Sequence, residues 1–324
     1  MRAVQITRLD GPEHVEVADV EEPPADPALV CVEVHAAGVA FPDALLTRGL
    51  YQYKPDPPFT PGSEVAGVVR SAPEGSGFSP GDRVVGLTGM SGGMAGLANL
   101  APDLTFALPD TVSLTAGAGI LFNDLTVHFA LTERGRLAKG ETVLVHGAAG
   151  GIGTSTLRMA ALFGAARTIA VVSSEAKAEK GRQAGATDVV LVDGWLDQVR
   201  QLTEGRGVDV VIDPVGGDRF TDSIRSLAPA GRVVVLGFTG GDIPTVRVNR
   251  LLLNNVDVVG AGWGAWFMSH PGYVAQQWAD IAPLLASGAL SAPEPSVYPL
   301  ERAAEAIGAL ERREALGKVV ITLR

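Results

Sequence analysis

The octapeptide HGAAGGIG at residues 146–153 constrains this chain more than any other feature. It follows an apolar run, Thr142–His146, and opens a helix-like segment, Gly153–Phe163, that Gly164 stops. Its glycines at 147, 150 and 153 are spaced Gly-x-x-Gly-x-x-Gly. A Cβ in such a turn keeps the backbone away from a pyrophosphate, and the last glycine lets helix and strand pack closely. The helix N-terminus then offers free N–H groups to the anion. Gly147, Ala148, Ala149, Gly150, Gly151, Ile152 and Gly153 are therefore candidate cofactor-binding residues. A glycine turn alone also describes an unliganded strand-to-helix connection, so its surroundings decide.

Those surroundings alternate strictly. Strands are predicted at Thr168–Ser173, Asp188–Val192, Val208–Asp213, Arg232–Gly237 and Val256–Gly260. Helices are predicted between them at Glu175–Ala184, Trp195–Thr203 and Asp218–Leu227. Continuous Val/Ile/Leu strands alternating with helices indicate a parallel sheet covered on both faces. Six such strands make an α/β, doubly wound nucleotide-binding domain. The first third reads differently, as an irregular antiparallel β domain. It holds VCVEV at Val30–Val34, VAGVVR at Val65–Arg70, and a Pro80-Gly81 turn feeding Arg83–Val85. A helix is predicted over Leu114–Leu131. Helices at Tyr273–Ser287 and Leu300–Arg312 and a strand at Lys318–Leu323 fold back onto the β domain.

A length of 324 residues suits two domains. The 40 glycines follow no collagen period, so they mark turns and close approaches. The single cysteine, Cys31, excludes an intrachain disulfide and a cysteine-based zinc cluster, and favours a cytoplasmic home. It is expected to be buried and inert in its strand. A net charge of −10 without a basic run argues against nucleic acid as a partner. MRAVQITRLD lacks a signal-peptide core, and no apolar run is long enough to span a membrane.

The second strand selects the nucleotide. An NAD site places Asp or Glu about 20 residues after the glycine motif. Here Ser173 and Ser174 stand there, followed by Lys177. No acid repels a 2′-phosphate, and a cation is placed to meet one, which indicates NADPH. Helix capping by either serine is the competing account. Gly237-Phe238-Thr239 and Gly262-Trp263-Gly264 follow the fifth and sixth strands, at the edge where ligands gather.

Several stretches together resemble a known family. They are Ala37-Gly38-Val39 with Asp43, Arg48-Gly49-x-Tyr51, Pro61-Gly62-Ser63-Glu64-Val65-Ala66-Gly67, Gly81-Asp82-Arg83-Val84, the Glu141–Gly151 strand and turn, Val215-Gly216-Gly217 and Gly317-Lys318-Val319-Val320. Over essentially the whole chain it resembles the zinc-independent quinone oxidoreductase (zeta-crystallin-like) branch of the medium-chain dehydrogenase/reductase superfamily. The resemblance implies a GroES-like β domain, residues 1–118 and 266–324, and a Rossmann domain, residues 119–265. It also implies NADPH and a homodimer or homotetramer. Zinc-dependent relatives carry a Gly-His-Glu triplet where this chain has Gly62-Ser63-Glu64, and no structural-zinc cysteines are present. No metal is therefore expected, which moves the chemistry from alcohol oxidation to reduction. The chain departs from the family pattern at Ala40, Met94–Leu97 and Asp193.

The resemblance places Tyr51 near the nicotinamide, where its phenol would bond a carbonyl or supply a proton. Packing in a cleft is its other reading. Asp43 and Arg48 are expected to orient the same loop, or to form a structural salt link. Asn123 and Thr126 match an Asn-x-x-Thr pattern facing the cofactor ribose, with helix capping the alternative for Asn123. Lys318 either reaches cofactor phosphates or is a solvated strand charge. Trp263, Trp266, Phe267, Tyr53, Phe59 and Met90 are candidates to line an apolar cleft, or plain core. The expected function is hydride transfer from NADPH to a quinone-type apolar acceptor. Reduction of an enal or enoyl double bond is the alternative, and a cofactor-binding protein without turnover is a third.

Overall fold

A computed structural model describes residues 1–324. Two short strands, β1 (Arg2–Ile6) and β2 (Val15–Asp19), pair antiparallel. In β3 (Val30–Val39) the pleat points Val30, Val32 and Val34 into the core and Cys31, Glu33 and His35 away from it. Cys31 is thus partly exposed, not buried as expected, and partial desolvation still pushes its thiol pKa up. Helix α1 (Phe41–Leu46) and strands β4 (Glu64–Ser71), β5 (Arg83–Leu87), β6 (Leu97–Leu100) and β7 (Thr105–Ala107) follow. Between β4 and β5, Asp82 N–H donates to Ser79 across Pro80 and Gly81, and Gly81 has φ +99°. That is the turn the Pro-Gly pair prescribes.

The predicted helix over Leu114–Leu131 is broken. It is α2 (Leu114–Gly117), then α3 (Leu121–His128), then a π-type turn over Phe129–Arg134 closed by Gly135 N–H on Ala130. The break falls at glycines: Gly117 ends α2 and Gly119 lies between α2 and α3, and a Cβ on them would meet Leu108 and Lys318 at 2.9 and 2.8 Å.

The alternating segment folds as β8 (Thr142–His146), α4 (Gly151–Ala160), β9 (Arg167–Val172), α5 (Glu175–Gln183), β10 (Asp188–Leu191), α6 (Trp195–Leu202), β11 (Val208–Asp213), α7 (Phe220–Arg225), β12 (Leu227–Val235), α8 (Asn249–Asn254), β13 (Asp257–Gly260) and α9 (Trp263–Ser269). Helix α4 starts two residues before its predicted start, because Gly150 is its N-cap. Leu227, expected at a helix end, instead begins β12, with a register shift before Arg232. Gly262-Trp263-Gly264 is not a loop: Gly262 caps α9 and Trp263 is its buried first residue. The chain ends with α10 (Tyr273–Ser287), β14 (Ser296–Pro299), α11 (Ala303–Glu311) and β15 (Val319–Thr322).

The chain divides into two compact units, Met1–Leu125 with Gly272–Arg324, and Thr126–Pro271. The crossings at 125/126 and 271/272 compare with the expected 118/119 and 265/266. The first unit holds a sheet ordered β14-β15-β3-β4-β5-β7, with β6 also paired to β3. Its core gathers Val30, Val32, Val34, Leu46, Met94, Leu100, Ile307 and Ile321. The second unit is a parallel sheet ordered β10-β9-β8-β11-β12-β13. The chain runs outward from β8 to β10, then returns to β11 on the other side of β8. That reversal is the switch point where doubly wound sheets bind nucleotides.

Candidate active site

In the second unit the glycine turn closes between β8 and α4. Gly147 has φ +58°, a left-handed conformation that side chains resist. Gly153 is the tightest position: a Cβ there would lie 2.4 Å from the Gly147 carbonyl oxygen and 2.5 Å from Ala148 Cα. At Gly150 the same atom would meet only the Gly147 oxygen, at 3.3 Å. Ala148 and Ala149 are buried beneath the turn, and Gly151, Ile152 and Gly153 form the first turn of α4. The first N–H groups of a helix lack intrahelical partners, so this turn presents donors.

The neighbouring strand completes the edge. His146 of β8 lies opposite Val171 of β9, so Ser173 and Ser174 emerge beside the glycine turn. Ser174 is the N-cap of α5, accepting from Lys177 N–H at 3.4 Å. The capping reading therefore holds for Ser174. Ser173 instead meets Lys177 Nζ at 3.2 Å, so hydroxyl and ammonium stand together. The nearby acid, Glu175, is exposed and paired to Arg182.

Beyond the switch point, Asp213 at the end of β11 accepts from the N–H groups of Val215 and Gly216. Thr239 donates through both N–H and Oγ1 to the Pro214 carbonyl, fastening the Gly237–Thr239 loop to the same edge. Phe238 is partly exposed there. Trp263 packs its ring 4.8 Å from Phe267. Gly147–Gly153, Ser173–Lys177, Gly237–Thr239 and Gly262–Trp263 thus share the carboxyl edge of one sheet. His146 lies beneath it, buried, with Nε2 2.9 Å from Ser223 Oγ and its ring edge-on to Trp195. Burial lowers its pKa to about 4, with Asp213 opposing.

The first unit holds the remaining candidates. Tyr51 is half-buried against the β-domain core, and its phenol forms no hydrogen bond within the chain. Desolvation, then the Asp43 charge, pushes the phenol pKa up. Asp43 is fully buried and accepts from Ala40 N–H at 2.8 Å and Gly62 N–H at 3.1 Å. Its pKa rises to about 6 because burial outweighs these bonds. Arg48 does not pair with Asp43. It forks onto Glu311 in α11, with a second bond to the Asp10 carbonyl. Its role is to tie the loop to α11, at a largely solvated surface.

Lys318 corrects both of its sequence readings. It is neither solvated nor free to reach a phosphate, because its buried ammonium meets Glu64 Oε1 at 2.6 Å. Asn123 is the third residue of α3, so it is not a helix cap; it is buried, and Thr126 lies one turn on. Glu64 was visible in the sequence only as part of the Gly62-Ser63-Glu64 triplet. A buried acid with a cation 254 positions away leaves no local signature.

The cradle at Gly147–Gly153 and the Ser173–Lys177 pair fit a dinucleotide carrying a 2′-phosphate: one supplies space and N–H donors, the other a cation. No three His, Cys, Asp or Glu side chains converge as a metal-ligand set would. Ser63 Oγ, at the position where relatives carry histidine, faces only Met90 Sδ at 3.9 Å.

Two family models match the chain: the alcohol dehydrogenase GroES-like domain over residues 26–110 and the zinc-binding dehydrogenase domain over residues 151–286. Quinone oxidoreductase-like protein 2 of Rattus norvegicus is 36% identical over all of this chain and 92% of its own length. A probable oxidoreductase of Mycobacterium abscessus is 41% identical, with TM-score 0.91 over 99% of this chain and 98% of that one. A mycobacterial protein solved in complex with NADPH is 32% identical, with TM-score 0.89 over 99% of this chain and all of that one. Sheet order, glycine turn and full-length similarity agree: the chain belongs to the zinc-independent quinone oxidoreductase branch of the medium-chain dehydrogenase/reductase superfamily.

Proposed function

We propose that this chain is an NADPH-dependent reductase that passes hydride to a quinone-type apolar acceptor without a metal. The observation that carries the reading is the cradle at Gly147–Gly153 beside the Ser173–Lys177 pair. When bound, NADPH would supply a hydride, which together with one proton from solvent balances reduction of a quinone to a hydroquinone. The chain's own residues bind and orient: N–H groups of α4 hold the pyrophosphate, Lys177 and Ser173 the 2′-phosphate, and the Gly237–Thr239 and Gly262–Trp263 segments the nicotinamide end. Proximity and orientation supply most of the rate. Fluorescence titration with NADPH and NADH tests the cofactor, and tighter NADH binding rejects it. NADPH consumption with quinones, enals and enoyl thioesters, chelator present, tests the reaction. Binding without turnover across that panel would favour the cofactor-binding reading.

Tyr51 favours the second reading, conjugated double-bond reduction. Its phenol is unbonded within the chain and stays protonated, as a proton donor must. Tyr51→Phe should lower enal turnover about a hundredfold and spare quinone turnover. Equal, small losses on both substrates reject the donor role.

We also place the protein in the cytoplasm, on its single cysteine, and infer a homodimer. Strand β13 is one of the sheet's two edges, with β10 the other, and Leu252 and Leu253 of α8 before it are about three-quarters exposed. Open edges and exposed leucines are aggregation hazards unless a partner covers them. A second copy pairing β13 about a two-fold axis would do so. Light scattering on Leu252→Lys/Leu253→Glu checks it: a monomer supports the interface, and an unchanged mass rejects it. No helix is long and apolar enough to cross a membrane.

A further inference from the structure

Three neighbouring strands of the second unit, in the order β8-β11-β12, end in three turns on one edge. The first leads into the glycine turn and the third into Gly237–Thr239, the segments given above to the pyrophosphate and the nicotinamide end. The turn after β11, Pro214–Gly217, lies between them and has no part in the chemistry above. One of its residues nevertheless joins its two neighbours. Val215 Cγ2 stands 3.1 Å from where a Cβ on Gly147 would be, so its side chain lies against the glycine turn. The Val215 carbonyl accepts the N–H of Gly240 at 2.7 Å, so its backbone lies against the loop after β12.

The two loops interlock through further bonds. Thr239 donates twice to the Pro214 carbonyl, from N–H at 3.1 Å and Oγ1 at 3.0 Å, and Gly217 N–H donates to the Asp242 carbonyl at 3.2 Å. The approach is close enough to need glycine: a Cβ on Gly240 would meet the Val215 oxygen at 2.7 Å, and one on Gly216 would meet Phe238 Cδ1 at 2.9 Å. Gly216 and Gly217 both have positive φ, +67° and +72°. Such a glycine-rich turn loses much conformational freedom when it is ordered, so it needs a local anchor. Asp213 is that anchor. Its carboxylate is buried at the end of β11, and Oδ1 accepts the N–H groups of Val215 at 2.8 Å and Gly216 at 2.9 Å. Turns of this kind commonly follow an aspartate and need no ligand. Here, however, the residue so held is the one that touches both neighbouring turns.

We propose that Asp213 is a positioning residue that, through Val215, sets the spacing between the glycine turn and the Gly237–Gly240 loop, and so between the two ends of one dinucleotide. This rests on the NADPH reading given above. Asp213 Oδ1 fixes the Val215 and Gly216 amides, Val215 separates the two turns, and the Thr239 and Gly240 bonds carry its position to the nicotinamide end. The glycine turn holds its own shape, through Gly150 N–H on the Gly147 carbonyl and Ala148 N–H on the Val171 carbonyl. A ligand confined to that turn and the Ser173–Lys177 pair therefore does not sense the spacing, whereas one that spans both ends does.

That difference is the test. Affinities for NADPH and for adenosine 2′,5′-bisphosphate, which has no nicotinamide end, are measured on wild type and three variants, with hydrogen exchange at the Gly217 and Gly240 amides. Asp213→Ala removes the accepting oxygen. It should weaken NADPH binding about tenfold, leave bisphosphate binding unchanged, and speed exchange at both amides, neither of which Asp213 itself bonds. Asp213→Asn keeps an accepting oxygen and should restore most of the lost affinity. Gly240→Ala forces the loops apart from the other side and should repeat the selective loss of NADPH. Unchanged NADPH affinity in Asp213→Ala, or an equal loss of both ligands, overturns the proposal. So does a loss in Asp213→Asn as large as in Asp213→Ala. If melting shows Asp213→Ala unfolded, Gly240→Ala decides: equal losses of the two ligands, or none, reject the spacing role. If wild-type protein binds neither ligand, the NADPH reading fails, while exchange at Gly217 and Gly240 still supports or rejects Asp213 as the anchor of the two loops.

Discussion

Burial moves His146 in the second unit and Asp43 and Glu64 in the first in opposite directions. The second unit keeps His146 neutral beneath the glycine turn, where burial lowers its pKa to about 4. The first unit buries Asp43 and Glu64 around one cation, Lys318, and burial raises both acids, Asp43 to about 6. The glycine turn of the second unit carries no ionisable side chain, although Asp213 beside it also accepts backbone N–H groups; in the first unit the buried carboxylates Asp43 and Glu64 do the holding. A glycine turn positions a ligand by leaving space, whereas Glu64 and Asp43 position backbone by filling it.

The sharpest way to break this contrast is at Gly153. Gly153→Ala places a methyl against backbone atoms at 2.4–2.5 Å, which cannot move aside as a side chain would. We expect a loss of about 3 kcal/mol in stability and no measurable NADPH binding. Gly150→Ala, whose Cβ meets one oxygen at 3.3 Å, should cost about 1 kcal/mol or less. Chemical denaturation and titration of both variants check the difference; equal effects would mean the turn relaxes.

The pH dependence comes next. The folded pKa of His146 lies below its ordinary 6.5, so its contribution is fully present above pH 6.5 and is lost as pH falls towards 4. The folded pKa of Asp43 lies above its ordinary 3.8. Its ionisation therefore opposes folding above pH 6, and the penalty is relieved as pH falls from 6 to 3.8. Each effect is of order 3 kcal/mol across its window. Denaturation between pH 4 and 7 should show a shallower acid loss in His146→Gln and a steeper one in Asp43→Asn. Slopes that shift the same way in both variants would break the comparison.

The smallest expected effect is at Arg48. Its fork onto Glu311 is largely solvated, and such pairs contribute about 1 kcal/mol or less. Arg48→Gln should leave NADPH affinity unchanged and shift stability within that range, as melting and titration would show. A loss of affinity would make Arg48 part of the binding machinery after all.

Legibility follows the same division. The second unit was readable because its strands are continuous apolar runs and its turns are marked by glycine. Val208–Asp213 was placed to the residue, and the Gly147–Gly153 turn lies where its spacing said. Errors there concerned an end, at Leu227, where tertiary contacts compete with propensity, and two short helices, α8 and α9, that went unread. In the first unit β1, β2, β6, β7, α1 and β14 went unread. They are short, and some have partners distant in sequence, as Val30 and Leu100 are across β3 and β6, whereas β1 and β2 pair locally over five residues each.

By itself the sequence determined the doubly wound sheet, the glycine cradle and the serine–lysine pair beside it. Each element of these depends on residues within about one turn or strand of each other, where spacing translates directly into geometry. Only the tertiary structure decided what Lys318, Glu64 and Asp43 do. A charge at the surface and a charge in the core have the same letter; burial separates them, and burial depends on strands that meet across most of the chain's length. In the sequence Lys318 reads as either a phosphate ligand or a solvated strand charge. The fold set it against Glu64, beside the first turn of the helix that carries Asn123.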